Sequence, residues 1–144
     1  MKPGSHISDP SFRWAVVATG LMASVLVGSA AMAEVLGGDA VHGQTLFQQR
    51  CGLCHTAGPE DGDGGQGPPL AGVVGRRAGA APGFNYTAAL KESGKIWTPM
   101  ALDRFLAAPG RDVPGTAMPI STPSAKDRAD LIAYLATVKA PTPK

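Results

Sequence analysis

Both cysteines of the chain fall in one pentapeptide, Cys51-Gly52-Leu53-Cys54-His55. C-x-x-C-H is the spacing at which haem c is attached. The reason is geometric. The short tether holds two thiols at the separation of the two vinyl groups of haem, giving two thioether bonds, and it sets an imidazole beneath the iron. Two other chemistries use a C-x-x-C pair. A redox dithiol usually sits at a helix N-terminus in a β-α-β context, for which this sequence offers no support. Half of a zinc site would need a second Cys/His pair to complete it, and the sequence supplies none. In an oxidising compartment an unprotected pair would close into a disulfide, whereas thioethers are permanent.

An iron that cycles one electron works best with both axial positions filled, because a vacant one invites oxygen or peroxide chemistry. Besides His55, the candidate ligands within residues 34–144 are His42, Met100 and Met118. His42 lies on the polar side of a predicted helix and reads as a solvated surface histidine. Met100 falls in the first turn of another helix and reads as ordinary packing. Met118 sits in a loop between two prolines, Val113-Pro114-Gly115-Thr116-Ala117-Met118-Pro119, and the proline that follows biases it toward extended backbone. It reads either as a loop methionine filling a core gap or as the sulfur ligand. A thioether opposite histidine stabilises the ferrous state and raises the potential.

These residues need elements to position them. Asp39 is an N-cap for a helix running to about Arg50, with Gly43, Leu46 and Phe47 on one face. Thr87 caps a short helix, AALKES, that Gly94 ends. Thr98 followed by Pro99 starts a third, whose stripe is Leu102, Phe105 and Leu106 and which Pro109-Gly110 is expected to stop. Ser124 and Asp127 come close to a capping box for the last helix, where Leu131, Ile132, Leu135 and Val138 share a face beside Tyr134. No repeat and no long alternating β-branched run supports a sheet. Gly/Pro-rich stretches at 56–85 and 107–123 are long for a compact domain, as expected of helices and loops wrapped around a guest.

Composition bounds the rest. The chain has 144 residues, and its 19 Gly and 13 Pro make it turn-rich without reaching the level of a disordered chain. Its 13 basic and 11 acidic residues exclude a strongly cationic nucleic-acid binder. Trp14 to Ala33 runs without a charge and ends in Ala31-Met32-Ala33, the small-x-small pattern of an export signal. Residues 1–33 therefore read as a signal peptide and 34–144 as a single domain in the periplasm. The competing reading of 14–33 is an uncleaved membrane anchor, since about 20 apolar residues can just span a bilayer.

The segments GDAVHGQTLFQQRCGLCH, GPPLAGVVGRRAG, APGFNYTAALKESGKIW, VPGTAM and KDRADLIAYL resemble, in order and spacing, the class I cytochromes c, in particular the mitochondrial cytochrome c and bacterial cytochrome c2-like group. The resemblance covers about Gly38 to Thr137. It implies an all-α fold in which N- and C-terminal helices cross and shorter helices and loops enclose one covalent haem c, attached through Cys51 and Cys54. By position, His55 is the proximal ligand and Met118 the distal one. The carbonyl of Pro68 would accept a hydrogen bond from His55. Tyr86, Trp97 and Arg76 would serve one haem propionate and Thr116 the other. Gly43 and Phe47 would meet Leu131 and Tyr134 at the helix crossing. Read without the resemblance, Tyr86, Trp97 and Phe105 are simply core aromatics.

Four departures concern the haem surroundings and the docking face. Phe105 stands where many relatives carry a tyrosine, Ala117 replaces the usual lysine, and Ile120 occupies a position often held by phenylalanine. Glu60, Asp61 and Asp63 put acid into a loop that is often basic in mitochondrial members. The implied function is single-electron transfer between redox partner proteins that bind transiently, not catalysis. Three rivals stand beside it: an open-site haem peroxidase, a thiol–disulfide oxidoreductase using Cys51 and Cys54, and a membrane-anchored or complex-bound electron-entry subunit.

Overall fold

The computed structural model describes residue 1 and residues 37–58 and 65–140. The export segment read at 14–33 and the acidic residues Glu60, Asp61 and Asp63 lie outside the described residues. Helix α1 spans Ala40–Leu46 and begins where Asp39 leaves the extended region, its side chain accepting the backbone N–H groups of Val41 and His42. It runs on into a π-helical turn, Phe47–Cys51. The face expected from spacing, Gly43, Leu46 and Phe47, is the one that is buried.

Helix α2 (Ala88–Glu92) is capped by Thr87 and followed by Gly94 at φ +64°, and α3 (Pro99–Ala107) is capped by Thr98 and buries Ala101, Leu102, Phe105 and Leu106. Pro109-Gly110 does not simply end the helical run, as the sequence suggested. Ala108 breaks α3 with φ −159°, and Pro109 then opens a short helix α4, Pro109–Asp112. A proline that cannot continue one helix is well suited to the first position of the next, where its missing N–H costs nothing.

Helix α5 (Ala125–Thr137) starts at Ser124, whose hydroxyl accepts from Asp127 N–H at 3.2 Å. Val138, expected to prolong its apolar face, instead ends the helix in extended backbone; it stays half-buried, and its carbonyl accepts the Gly72 N–H. Among the described residues there is no strand, only a single antiparallel bridge between Arg77 and Ile96. Around it, Gly75 and Ala78 donate to Trp97 and Lys95, and Trp97 donates back to Arg76.

Helices α1 and α5 cross at Gly43. A Cβ there would collide with the Asp130 carbonyl oxygen and lie 3.0 Å from the Tyr134 Cβ, so only glycine permits this approach. The crossing is sealed by Phe47 against Tyr134, ring centroids 5.5 Å apart, and by the fully buried Leu131. It also holds a charge. Asp130 is 1% exposed, and its carboxylate accepts from the backbone N–H of Asp39 at 2.7 Å, from His42 Nδ1 at 2.7 Å and from Lys126 Nζ at 2.6 Å. Burial pushes this carboxyl up, but those three donors outweigh it and hold the group at about 2. His42 is thus a partner of the helix crossing, and Met100, expected to pack, is 67% exposed.

Candidate functional site

The crossing matters because α1 leads directly into the cysteine pair. After the π-helical turn, Gly52 donates to Phe47, and the N–H groups of Cys54 and His55 both donate to the Cys51 carbonyl, at 3.0 and 2.9 Å. This tight loop brings Cys51, Cys54 and His55 onto the wall of one cavity of about 350 Å³. That volume lies in the range of ligand sites, about 300–1,000 Å³. Burial pushes the Cys51 thiol up, and the neighbouring Arg50 only partly opposes it. A thiol tuned for disulfide exchange shows the opposite shift and sits at the start of a helix, whereas Cys51 closes a helical turn.

His55 is oriented by the segment that follows. Its Nδ1 lies 2.8 Å from the Pro68 carbonyl oxygen. A carbonyl can only accept, so Nδ1 carries the proton and Nε2 keeps a free lone pair, as a metal-bound imidazole requires. Backbone bonds from Gly67 to Cys54 and from Leu70 to Thr56 fix the two segments against each other. Burial lowers the His55 pKa, against the opposing pull of the Pro68 bond, and so favours the neutral ring, the form that can ligate a metal. Gly67 is a requirement the sequence did not announce: a Cβ there would run into the His55 ring. Its place in Gly-Pro-Pro, a dozen residues after the motif, was the only signal.

Met118 lines the same cavity, with Arg76, Tyr86 and Trp97. The Arg76 guanidinium is anchored by the carbonyls of Ala71 at 2.9 Å and Pro69 at 2.8 Å. Burial lowers the Arg76 pKa and raises that of Tyr86, and each group partly offsets the other's shift. Trp97 packs against Phe105 with centroids 4.9 Å apart. Thr116 is not part of the wall; its hydroxyl accepts the Met118 N–H at 3.3 Å and so shapes the loop that carries the sulfur. His42 and Met100 are absent from the lining, whereas Ala117 and Ile120 belong to it and are exposed. Spacing alone did not single out Phe84, which meets Tyr86 edge-on at 4.9 Å, or Leu102 and Leu106, which turn from the α3 stripe into the cavity.

The family model described as Cytochrome c matches residues 40–139. The chain belongs to the cytochrome c family. Among its relatives, cytochrome c2 of Rhodopila globiformis is 47% identical over 103 residues, covering 71% of this chain and 95% of that protein. Cytochrome c of Euglena viridis is 43% identical, covering 71% and 99%. The solved structure of cytochrome c2 from Rhodospirillum centenum superposes with a TM-score of 0.65 at 33% identity, covering 72% of this chain and all of that one. These likenesses establish a class I cytochrome c with the all-α cytochrome c fold.

As a family member the chain is a mono-haem electron carrier and not an enzyme, with haem c attached through Cys51 and Cys54, and it passes electrons to redox partners. The residues present fit the group. Two thiols and a correctly protonated imidazole share one apolar cavity, a glycine leaves room against the imidazole, and the cavity walls include Phe47, Leu70, Val73 and Leu102.

Proposed function

We propose that this chain is an exported, periplasmic electron carrier in which His55 and Met118 would ligate the haem iron. The observation that carries the reading is the His55–Pro68 bond of 2.8 Å, which aims a lone pair into a cavity that Met118 also lines. Bound haem c supplies an iron that takes up one electron and gives it back. The chain's residues do the rest. His55 keeps its tautomer through Pro68, and Met118 offers a soft sulfur that favours the ferrous state. Apolar walls from the π-helical turn, α3 and α5, with Phe47, Leu102, Phe105, Leu131 and Leu135, would surround the group with a low dielectric. Arg76 and Tyr86, on the cavity wall, would present donors to one propionate. Thr116, although off the wall, remains a candidate donor to the other through its hydroxyl.

Residues 1–33 act as the export signal and 34–144 form the working domain. Glu34 is then the first residue of the purified protein, and N-terminal sequencing checks it; retention of residues 14–33 would favour the membrane-anchored reading. Partners dock transiently, and with Ala117 at the position usually held by lysine they meet a face poorer in positive charge. The axial assignment is tested by Met118→Ala. The variant is expected to keep covalent haem, lose the far-red iron–sulfur band of the ferric protein, and fall in potential by about 59 mV for each tenfold loss of ferrous preference. An unchanged potential would contradict it. A high-spin ferric spectrum in the unmodified protein would favour the open-site peroxidase.

A further inference from the structure

The loop that carries Met118, residues 113–124, has few hydrogen bonds within itself: Thr116 N–H to the Val113 carbonyl at 3.0 Å, and Met118 N–H to the Thr116 hydroxyl. Pro114, Gly115, Ala117, Pro119, Ile120 and Ser121 are exposed. The loop is held at its ends. Downstream, Arg128 of α5 donates to Asp103 at 2.7 Å and to the carbonyls of Thr122 and Pro123 at 3.0 and 2.7 Å. Upstream, Asp112 Oδ1 accepts from Lys95 Nζ at 3.2 Å and lies 4.0 Å from Arg104 Nε. Asp103 and Arg104 are neighbours on α3, so one helix anchors both ends of the span.

The upstream clamp is unusual in its economy. Asp112 and Lys95 are 14% and 23% exposed, and Asp112 Oδ2 is buried with no hydrogen-bond partner. A carboxylate desolvated in this way recovers only part of its hydration through one oxygen, and an apolar pair of similar size would stabilise the fold as well or better. What the pair does supply is position. Lys95 belongs to the extended segment that ends in Trp97 on the cavity wall, and Asp112 is the residue at which α4 gives way to the loop. The bond therefore registers the start of the Met118 loop against the opposite lining segment. Val113, the next residue, is buried and continues the same anchor.

We propose that Lys95 and Asp112 are positioning residues for the distal ligand: their ion pair sets how much of the time the Met118 side chain occupies its place in the cavity. The proposal rests on the assignment of Met118 above. Imidazole competes with Met118 for the same coordination position, so its apparent affinity for the ferric holoprotein scales with the fraction of molecules in which the sulfur is away. The double variant Lys95→Met with Asp112→Leu is expected to bind imidazole about tenfold more tightly than the unmodified protein. Its iron–sulfur band weakens in step, while its melting temperature stays level or rises. Lys95→Arg, which keeps the bond, retains the original affinity.

If the double variant does not fold, Lys95→Gln gives the same reading with a rise of about threefold. An unchanged imidazole affinity and band in the charge-removing variants, with Met118→Ala still binding more tightly, overturns the clamp and leaves the ligand assignment intact. Equal affinity in the unmodified protein and Met118→Ala overturns the assignment and the clamp together.

Discussion

The sharpest quantitative test lies at Gly43, where α1 and α5 touch. A methyl group there would meet the Asp130 carbonyl carbon at 2.5 Å and the Tyr134 Cβ at 3.0 Å. Carbon atoms rest at about 3.5–4.0 Å, so the helices must part by about 1 Å, and a gap of that size forfeits a quarter to a half of the dispersion across the seam. The obstacle is backbone, which cannot swing aside. The cost of overpacking then falls toward the upper part of its usual range, about 1–3 kcal/mol, and alanine's better helix propensity returns about 1 kcal/mol. Gly43→Ala is expected to destabilise the holoprotein by about 2 kcal/mol, which lowers the melting temperature by roughly 10 °C in a domain of this size.

Gly110 is the control. A Cβ there meets nothing within 4 Å and its φ is negative, so Gly110→Ala should be neutral or stabilising by about 0.5 kcal/mol. Denaturant titration of the ferric protein followed by far-ultraviolet circular dichroism reads both. A Gly43→Ala protein more stable than the unmodified one by about 1 kcal/mol would refute the close crossing, because propensity alone would then be visible.

Gly67→Ala should push the His55 ring from its Pro68 partner and destabilise the holoprotein by about 1–3 kcal/mol, with displaced His55 ring resonances in the nuclear magnetic resonance spectrum. His55→Ala should abolish the native haem spectrum and cooperative unfolding together, measured on protein from a host able to attach haem. Asp130 contributes to acid behaviour. Its folded value of about 2 lies below its ordinary 3.8, so its contribution is complete above 3.8 and is lost as the pH falls toward 2. Asp130→Asn should flatten the stability–pH profile in that window, and a profile that keeps its slope there would assign acid lability to other carboxylates.

Local physics was easiest to read from the chain. Asp39, Thr87, Thr98 and Ser124 each cap the helix expected of them, because a cap is satisfied by residues two or three positions away. The cysteine–histidine turn and the placement of Met118 on the same cavity were legible for a similar reason: the motif is short, and flanking prolines kept the methionine out of a helix. Features set at a distance were not. Lys-Asp-Arg-Ala-Asp reads as a polar helix start, yet Asp130 is buried by donors at Asp39 and His42. Pro109 signals both a stop and a start, and sequence does not say which dominates. Met100, in the first turn of α3, reads as ordinary packing but lies exposed. The role of Gly67 depends on where a ring from another segment comes to rest.

The bond between Asp39 and Asp130 joins positions 91 residues apart. Closing a chain loop of that length costs about 4 kcal/mol in entropy before any packing is recovered. The helices enclosed by it, α2, α3 and α4, have five, nine and four residues, too short to persist on their own in water. The short helices are therefore expected to depend on the seam for their stability. A polypeptide truncated ahead of Ser124 forfeits the seam that closes the ring and is expected to lose most of the helicity inside it.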